Sequence, residues 1–256
     1  MTKSQKIFFT KDVMGLPNIS QFPRTPKALI TTDEKIKLDK NGIRQHNVRG
    51  TKTLLTVGCS HTFGQGLESK DVWAHKLAEM LQFNLINVGT PGASVGICTT
   101  NLLWAIENYD IDLVVWYCPT PDRLEFYRND KSISTTYASN TLRESGDPKN
   151  VLKWKNLYVA GMNKSHYIPA LQMLRQSFSL LKFKNIPSVF NFWGWDKSSG
   201  LISLCNEYNV IVNDDPQQRL LHDRDRALDN EHFGVISHEE FAKNNYNLIK
   251  NQLTNL

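Results

Sequence analysis

Two short segments of the chain carry side chains that can do chemistry. The first is Gly58-Cys59-Ser60-His61-Thr62-Phe63-Gly64-Gln65-Gly66. A serine hydroxyl in such a turn becomes a nucleophile once a base takes its proton. It is also a preferred helix N-cap, so the residue type alone leaves both roles open. The second is Asp229-Asn230-Glu231-His232. An imidazole can act as a base near neutrality, and a carboxylate three residues earlier can fold back onto its other ring nitrogen. The same spacing also occurs in ordinary loops, with the imidazole capping a carbonyl. The Ser60 turn is not the G-x-S-x-G elbow, because Thr62 stands where the last glycine would be. Nor is it a phosphate-binding loop, because no Gly-Lys-Ser/Thr follows. His222, Asp225, Asp229 and His232 fit no defined ligand spacing, and no metal or other cofactor is expected.

The elements that would position these segments alternate in kind. TLLTVG (53–58), NLINVG (84–89), DLVVWYC (112–118), IPSVFNFW (186–193) and NVIVND (209–214) are short apolar runs rich in β-branched residues and read as buried strands. Between and after them, apolar residues recur at helical spacing over 72–81, 95–108, 168–183, 199–208 and 238–253. This order predicts an α/β fold, a three-layer α/β/α sandwich on a mostly parallel five-stranded sheet of the flavodoxin-like kind. Ligand sites in such sheets lie beyond the carboxyl ends of the strands. The loops to inspect are therefore GCSHTFGQG, GTPGASVG and PTPDR.

Residues 1–50 lack steady periodicity and are broken by Pro17, Pro23 and Pro26. They read as an irregular arm wrapping a domain of residues 51–256. Within the arm, LDKNGIR (38–44) carries an Asn-Gly turn signal for a small hairpin. A polar stretch at about 119–165 reads as an insertion with no assigned structure. His238 is expected to be exposed in the first turn of the last helix.

The chain has 256 residues, 40% apolar and 21% charged, enough for one sizeable core. Its 30 basic against 25 acidic residues give +5. The basic residues are spread out, thickening only from Arg24 to Lys52, and read there as solvated surface or a binding arm. A nucleic-acid partner is not expected. Cys59, Cys98, Cys118 and Cys205 form no CxxC pair and sit in or beside apolar runs, which suits a reducing compartment. No signal peptide or apolar run of membrane-spanning length is present, so a cytoplasmic protein without membrane contact is expected.

Three segments together resemble the SGNH (GDSL-like) hydrolases. Gly58-Cys59-Ser60 is similar to the first block, usually Gly-Asp-Ser, with Cys59 in place of the Asp. Asn87-Val88-Gly89-Thr90-Pro91-Gly92-Ala93-Ser94 is similar to the second, and Asp229-x-x-His232 matches the last. The resemblance covers about residues 53–250 and implies the same α/β/α fold. It implies Ser60 as nucleophile, His232 as base and Asp229 as its orienting partner. The N–H groups of Ser60 and Gly92 would form the oxyanion hole. Where the family carries an Asn after the third strand, this chain reads Cys118-Pro119-Thr120-Pro121-Asp122-Arg123. Thr120 lies at about that place and could donate through its hydroxyl.

The implied activity is hydrolysis of carboxylic esters, small-molecule or glycan O-acetyl esters among them. His61, Arg123 and Trp193 are candidates for lining the substrate pocket. Core packing is the competing role for Trp193 and Trp195 in NFWGWD, and for His61 beneath its loop. Acyl transfer would use the same acyl-enzyme. A non-catalytic binding or virion-associated role on the same scaffold is the alternative, since the chain also resembles SGNH-like proteins of phage and environmental bacteria. In that role the N-terminal arm would contact other protein chains.

Overall fold

The computed structural model describes residues 36–39, 41–121, 123–127, 133–137, 167–193, 195, 200–213, 224–230 and 232–252. Pro17, Pro23, Pro26, Arg24, His222 and most of the insertion lie outside the described residues. The main sheet contains β1 (Lys52–Gly58), β2 (Phe83–Asn87), β3 (Leu113–Cys118), β6 (Ser188–Phe192) and β7 (Ile211–Val212). Its spatial order is β2-β1-β3-β6-β7, and every pair is parallel. This is the expected doubly wound arrangement, with its switch point between β1 and β3.

Strand alternation divides the core into two layers. Leu55, Val57, Val114, Trp116, Cys118, Phe190 and Phe192 face one side. There they meet α3 (Val95–Asn108), α4 (Tyr167–Phe183) and α5 (Leu201–Glu207). Leu54, Leu113, Val115, Tyr117 and Val189 face the other side. They meet α2 (Trp73–Leu81) and α6 (Val235–Gln252). A period of two in residue number thus becomes a change of layer. All six residues of β3 are buried, as expected of the central strand. Each fully buried Leu or Val here contributes about 1.5–3 kcal/mol. All four cysteines are buried. Burial pushes the Cys118 thiol well up and the Cys205 thiol up to about 12.

The remaining elements depart from or extend the sequence reading. The stretch left unassigned after β3 contains an antiparallel pair, β4 (Arg123–Tyr127) with β5 (Ile133–Tyr137). The last strand is only two residues long, shorter than 209–214. LDKNGIR does form a tight hairpin. Leu38 and Arg44 are bridged, Gly42 adopts φ 82°, and Asp39 Oδ1 accepts from the N–H groups of Asn41 and Ile43 at 2.8 and 2.9 Å. No described helix is long and apolar enough to cross a membrane.

His238 is a correction. It is fully buried, and its Nδ1 accepts a hydrogen bond from the Trp73 N–H at 3.0 Å. The last helix begins at Val235, three residues earlier than read. Asp225, from the segment before the helix, binds its first turn directly, accepting from the N–H groups of Ile236 and Ser237 at 2.9 and 3.0 Å. His238 is thereby turned inward rather than to solvent. Burial pulls its pKa down to about 3, with Asp225 opposing and His232, Arg44 and Lys76 adding to the fall. The folded value lies below the ordinary 6.5. Its stabilising contribution is therefore complete above that pH and is lost as pH falls from there toward 3. The loss amounts to about 1.4 kcal/mol per pH unit. The urea midpoint should drop between pH 7.5 and pH 5, and His238→Asn, which keeps an acceptor for Trp73, should flatten that slope. An equal slope in the variant would assign the acid sensitivity to other groups.

Candidate active site

The first site element is a single helical turn, α1 (Ser60–Phe63), directly after β1. Its N-cap is Cys59, with no side-chain capping bond. Ser60 is therefore the first helical residue, and its hydroxyl does not serve as the N-cap acceptor. It is 6% exposed. The turn fits because two glycines bring backbones together. A Cβ on Gly58 would lie 2.7 Å from Tyr117 O and collide with Thr62 Oγ1. A Cβ on Gly89 would collide with the backbone of Thr62 and Phe63.

The loop after β2 is locked beside this turn. Thr90 N–H donates to Gly58 O at 3.0 Å. Thr90-Pro91-Gly92-Ala93 closes through Ala93 N–H to Thr90 O at 3.0 Å, with Gly92 at φ 74°. A positive-φ glycine third is what a type II turn requires, and proline second favours it. Asn101 Nδ2 braces the loop at Val88 O and Thr90 Oγ1, at 3.1 and 3.0 Å. Ser94 is the N-cap of α3, accepting from Ile97 N–H at 3.1 Å.

Asp229 and His232 form a pair. His232 Nδ1 lies 2.7 Å from Asp229 Oδ2, and His232 N–H donates to Asp229 Oδ1 at 3.0 Å. A carboxylate only accepts, so Nδ1 carries the proton and Nε2 is left as the basic nitrogen. The Asp229 carboxylate is 1% exposed and the His232 ring 15%. Their loop is pinned by Ala227 N–H to His232 O at 2.9 Å and by the Arg226–Phe233 bridge. It docks on the Ser60 loop, with Leu228 N–H donating to Gly66 O at 3.3 Å.

His61, the neighbour of Ser60, links the parts. Its ring stacks on Phe233 at 4.9 Å and meets His232 edge-on at 5.4 Å and Trp193 at 6.1 Å. Burial, then the neighbouring His232, holds its pKa well below the ordinary value. His61 is thus a neutral wall of the site. The two tryptophans separate in role. Trp195 is buried, donating from Nε1 to Pro119 O at 2.9 Å, whereas Trp193 is half-buried at the site. Arg123 stands between the loops, with Nη1 donating to Ala93 O at 2.8 Å and its guanidinium 5.7 Å from the Trp193 ring centre. Thr120 is 9% exposed, and its Oγ1 has no hydrogen-bond partner among the described residues. An unsatisfied buried hydroxyl costs about 1–3 kcal/mol and calls for a reason. No group of three or more His, Cys, Asp or Glu side chains among the described residues is arranged to hold a metal.

Sequence reasoning missed two contributors. Asn87 Nδ2 donates to Thr62 O at 2.8 Å while its Oδ1 accepts from Gly89 N–H at 3.0 Å, tying β2 to the Ser60 turn. Its place in the second block was the available signal. Arg44, read as part of a solvated basic stretch, is instead buried against the same turn. Nothing local in the sequence marks it.

Gly66 tests the docking of the two loops. It has φ 82°, and a Cβ there would lie 2.7 Å from Ala227 Cβ and 3.1 Å from the Asp229 carboxylate. Gly66→Ala should destabilise the protein by about 1–2 kcal/mol from the left-handed backbone alone. A wild-type urea midpoint in this variant would contradict the contact.

The sequence matches no protein-family model and no curated protein. Solved structures do match by shape. TesA is 13% identical and aligns over 78% of this chain and 99% of its own, with a TM-score of 0.50. The psychrotrophic esterase EstA from Pseudoalteromonas sp. is 15% identical over 80% of this chain and 100% of its own, with a TM-score of 0.48. A member of the lipolytic protein G-D-S-L family from Veillonella parvula DSM 2008 is 13% identical over 80% and 100%, with a TM-score of 0.42. At such identities the likeness is one of fold. The five-stranded parallel sheet, its helical layers and the likeness to TesA together show an α/β/α fold of the kind TesA has.

Proposed function

We propose that the chain is a serine ester hydrolase of the SGNH type. The observation that carries this reading is the 2.7 Å Asp229–His232 pair, set 5.4 Å ring to ring from the residue that follows Ser60. Ser60 Oγ attacks the ester carbonyl carbon while His232 Nε2 takes its proton. The carbonyl oxygen becomes an oxyanion, for which the N–H groups of Ser60 and Gly92 and the Thr120 hydroxyl are the proposed donors. Collapse expels the alcohol, which receives its proton from His232 and leaves an acyl-enzyme. Water, deprotonated by His232, then attacks the acyl carbon and releases the acid and Ser60.

Asp229 holds the imidazole in the productive tautomer and stabilises the imidazolium. His61, Trp193 and Arg123 would flank the substrate, two through ring faces and one through its cation. The resemblance in the Ser60, Gly92 and His232 blocks points to small-acyl esters, O-acetyl groups on glycans among them.

Covalent labelling with a fluorophosphonate, read by intact mass, tests the nucleophile. One adduct on wild type and none on Ser60→Ala is expected. A folded wild type that takes no adduct would remove this mechanism and leave a binding role on the same scaffold. Asp229→Asn should slow labelling by about 10,000-fold, because the wrong tautomer of His232 would then be favoured. Thr120→Val should lower ester turnover by about 100- to 1000-fold if its hydroxyl faces the oxyanion. Wild-type turnover in Thr120→Val would take Thr120 out of the proposed hole.

A further inference from the structure

Arg44 belongs to the Leu38–Arg44 hairpin, outside the sheet, yet it is only 3% exposed. Its guanidinium donates from Nη1 to Phe63 O at 2.8 Å and Gly64 O at 2.6 Å, and from Nη2 to Leu67 O at 2.6 Å. Nε donates to Ser69 Oγ at 3.3 Å, and the guanidinium carbon lies 5.3 Å from the Phe63 ring centre. Phe63 is the last residue of the turn that Ser60 begins. Arg44 therefore holds the carboxyl end of the helix whose amino end bears the proposed nucleophile, where a cation is favoured. Burial lowers its pKa to about 10, which leaves it charged at neutral pH.

Burying a cation on neutral carbonyls is expensive, and apolar packing would serve stability as well or better. A planar fork spreads its donors over three nitrogens and so spans acceptors from Phe63 to Ser69, whereas a lysine ammonium offers its donors from a single point. His46, two residues on, adds a second hold. Its Nε2 lies 3.2 Å from Asn87 Nδ2, the group that also binds Thr62 O. Arg44 thus binds the Ser60 turn directly at Phe63 and its cap Gly64, and His46 reaches Thr62 through Asn87.

We propose that Arg44 is a positioning residue for Ser60, fixing the far end of the turn that carries it and making the N-terminal hairpin part of the site. The proposal rests on the reading of Ser60 as nucleophile. Its test compares wild type, Arg44→Ala and Arg44→Lys in the full chain by two readouts. One is the rate of fluorophosphonate adduct formation. The other is amide hydrogen exchange over residues 60–67 relative to α3.

Arg44→Ala should label about 100-fold more slowly, the cost of a small misplacement of the reacting group. Exchange should accelerate over residues 60–67 and not in α3. Millimolar guanidinium ion should restore part of the labelling rate to Arg44→Ala, which a general loss of stability would not allow. Arg44→Lys, with the charge but not the fork, should be intermediate. A folded Arg44→Ala that labels and exchanges as wild type does overturns the proposal. If wild type takes no adduct, the nucleophile reading fails, and exchange alone decides whether Arg44 clamps the turn. Uniform or unchanged exchange then removes the clamp. Should Arg44→Ala not fold, Arg44→Lys carries the comparison, and wild-type labelling in it is the overturning result.

Discussion

A helix of one turn cannot hold itself. Its first N–H groups and last carbonyls have no partners within it, and nucleation is unfavourable. The Ser60–Phe63 turn meets this constraint with its flanking residues and with side chains drawn from distant parts of the chain. Cys59 O takes the N–H groups of Thr62 and Phe63, and Ser60 O those of Gly64 and Gln65. Thr62 O is bound by Asn87, and Phe63 O and Gly64 O by Arg44. The residues around the site follow from this need. Gly58 and Gly89 lack side chains so that the turn can sit against Tyr117 O and the loop after β2. Gly66, just beyond the turn, is bare so that the Asp229 loop can close over it.

The layers of the fold were legible because their cause is local. The central strands β3 and β6 are short runs in which every residue is buried, and the alternation within Leu113–Cys118 assigns sides without knowledge of neighbours. The hairpin at Asn41-Gly42 was legible for the same reason, since its turn is made by its own residues. What escaped reading depends on partners far along the chain. His238 is turned inward by Asp225 and completed by Trp73, 165 residues away. Arg44 looks like any basic residue of a polar arm until the carbonyls of residues 63–67 are placed beside it. The pairing of Arg123–Tyr127 with Ile133–Tyr137 lay within a polar stretch that offered no steady period.

The site shows the same division. Motif spacing announced the Ser60 turn, the Gly92 turn and the Asp229–His232 pair, because the residues that mark each lie within a few positions of one another, although Asn87, Arg44 and Asn101 are needed to hold the first two in place. The walls were harder to read. His61 was equally compatible with lining a pocket or packing under a loop, and in the structure its ring stacks on Phe233 while meeting His232 edge-on. Trp193 and Trp195 are two residues apart, and the bond from Trp195 to Pro119 O, with the contacts of Trp193 to His61 and Arg123, separates the core ring from the ring beside the Ser60 turn. No pattern in the sequence encodes that bond.

In the proposed mechanism, the replacement of a side-chain amide by Thr120 is a change of reach and stiffness as well as of donor. An asparagine extends its donor past Cγ and must be held by other groups to point it. A threonine donor is one bond from Cβ, and the β-branch restricts it to few rotamers. Thr120 stands between Pro119 and Pro121, and a residue before proline is confined to extended backbone. Pro119 O is itself held by Trp195. The position of Thr120 is therefore restricted by covalent geometry and by one hydrogen bond on its neighbour rather than by a surrounding polar network, and an Oγ1 that is buried without a partner among the described residues suits the proposed role of donor to the oxyanion.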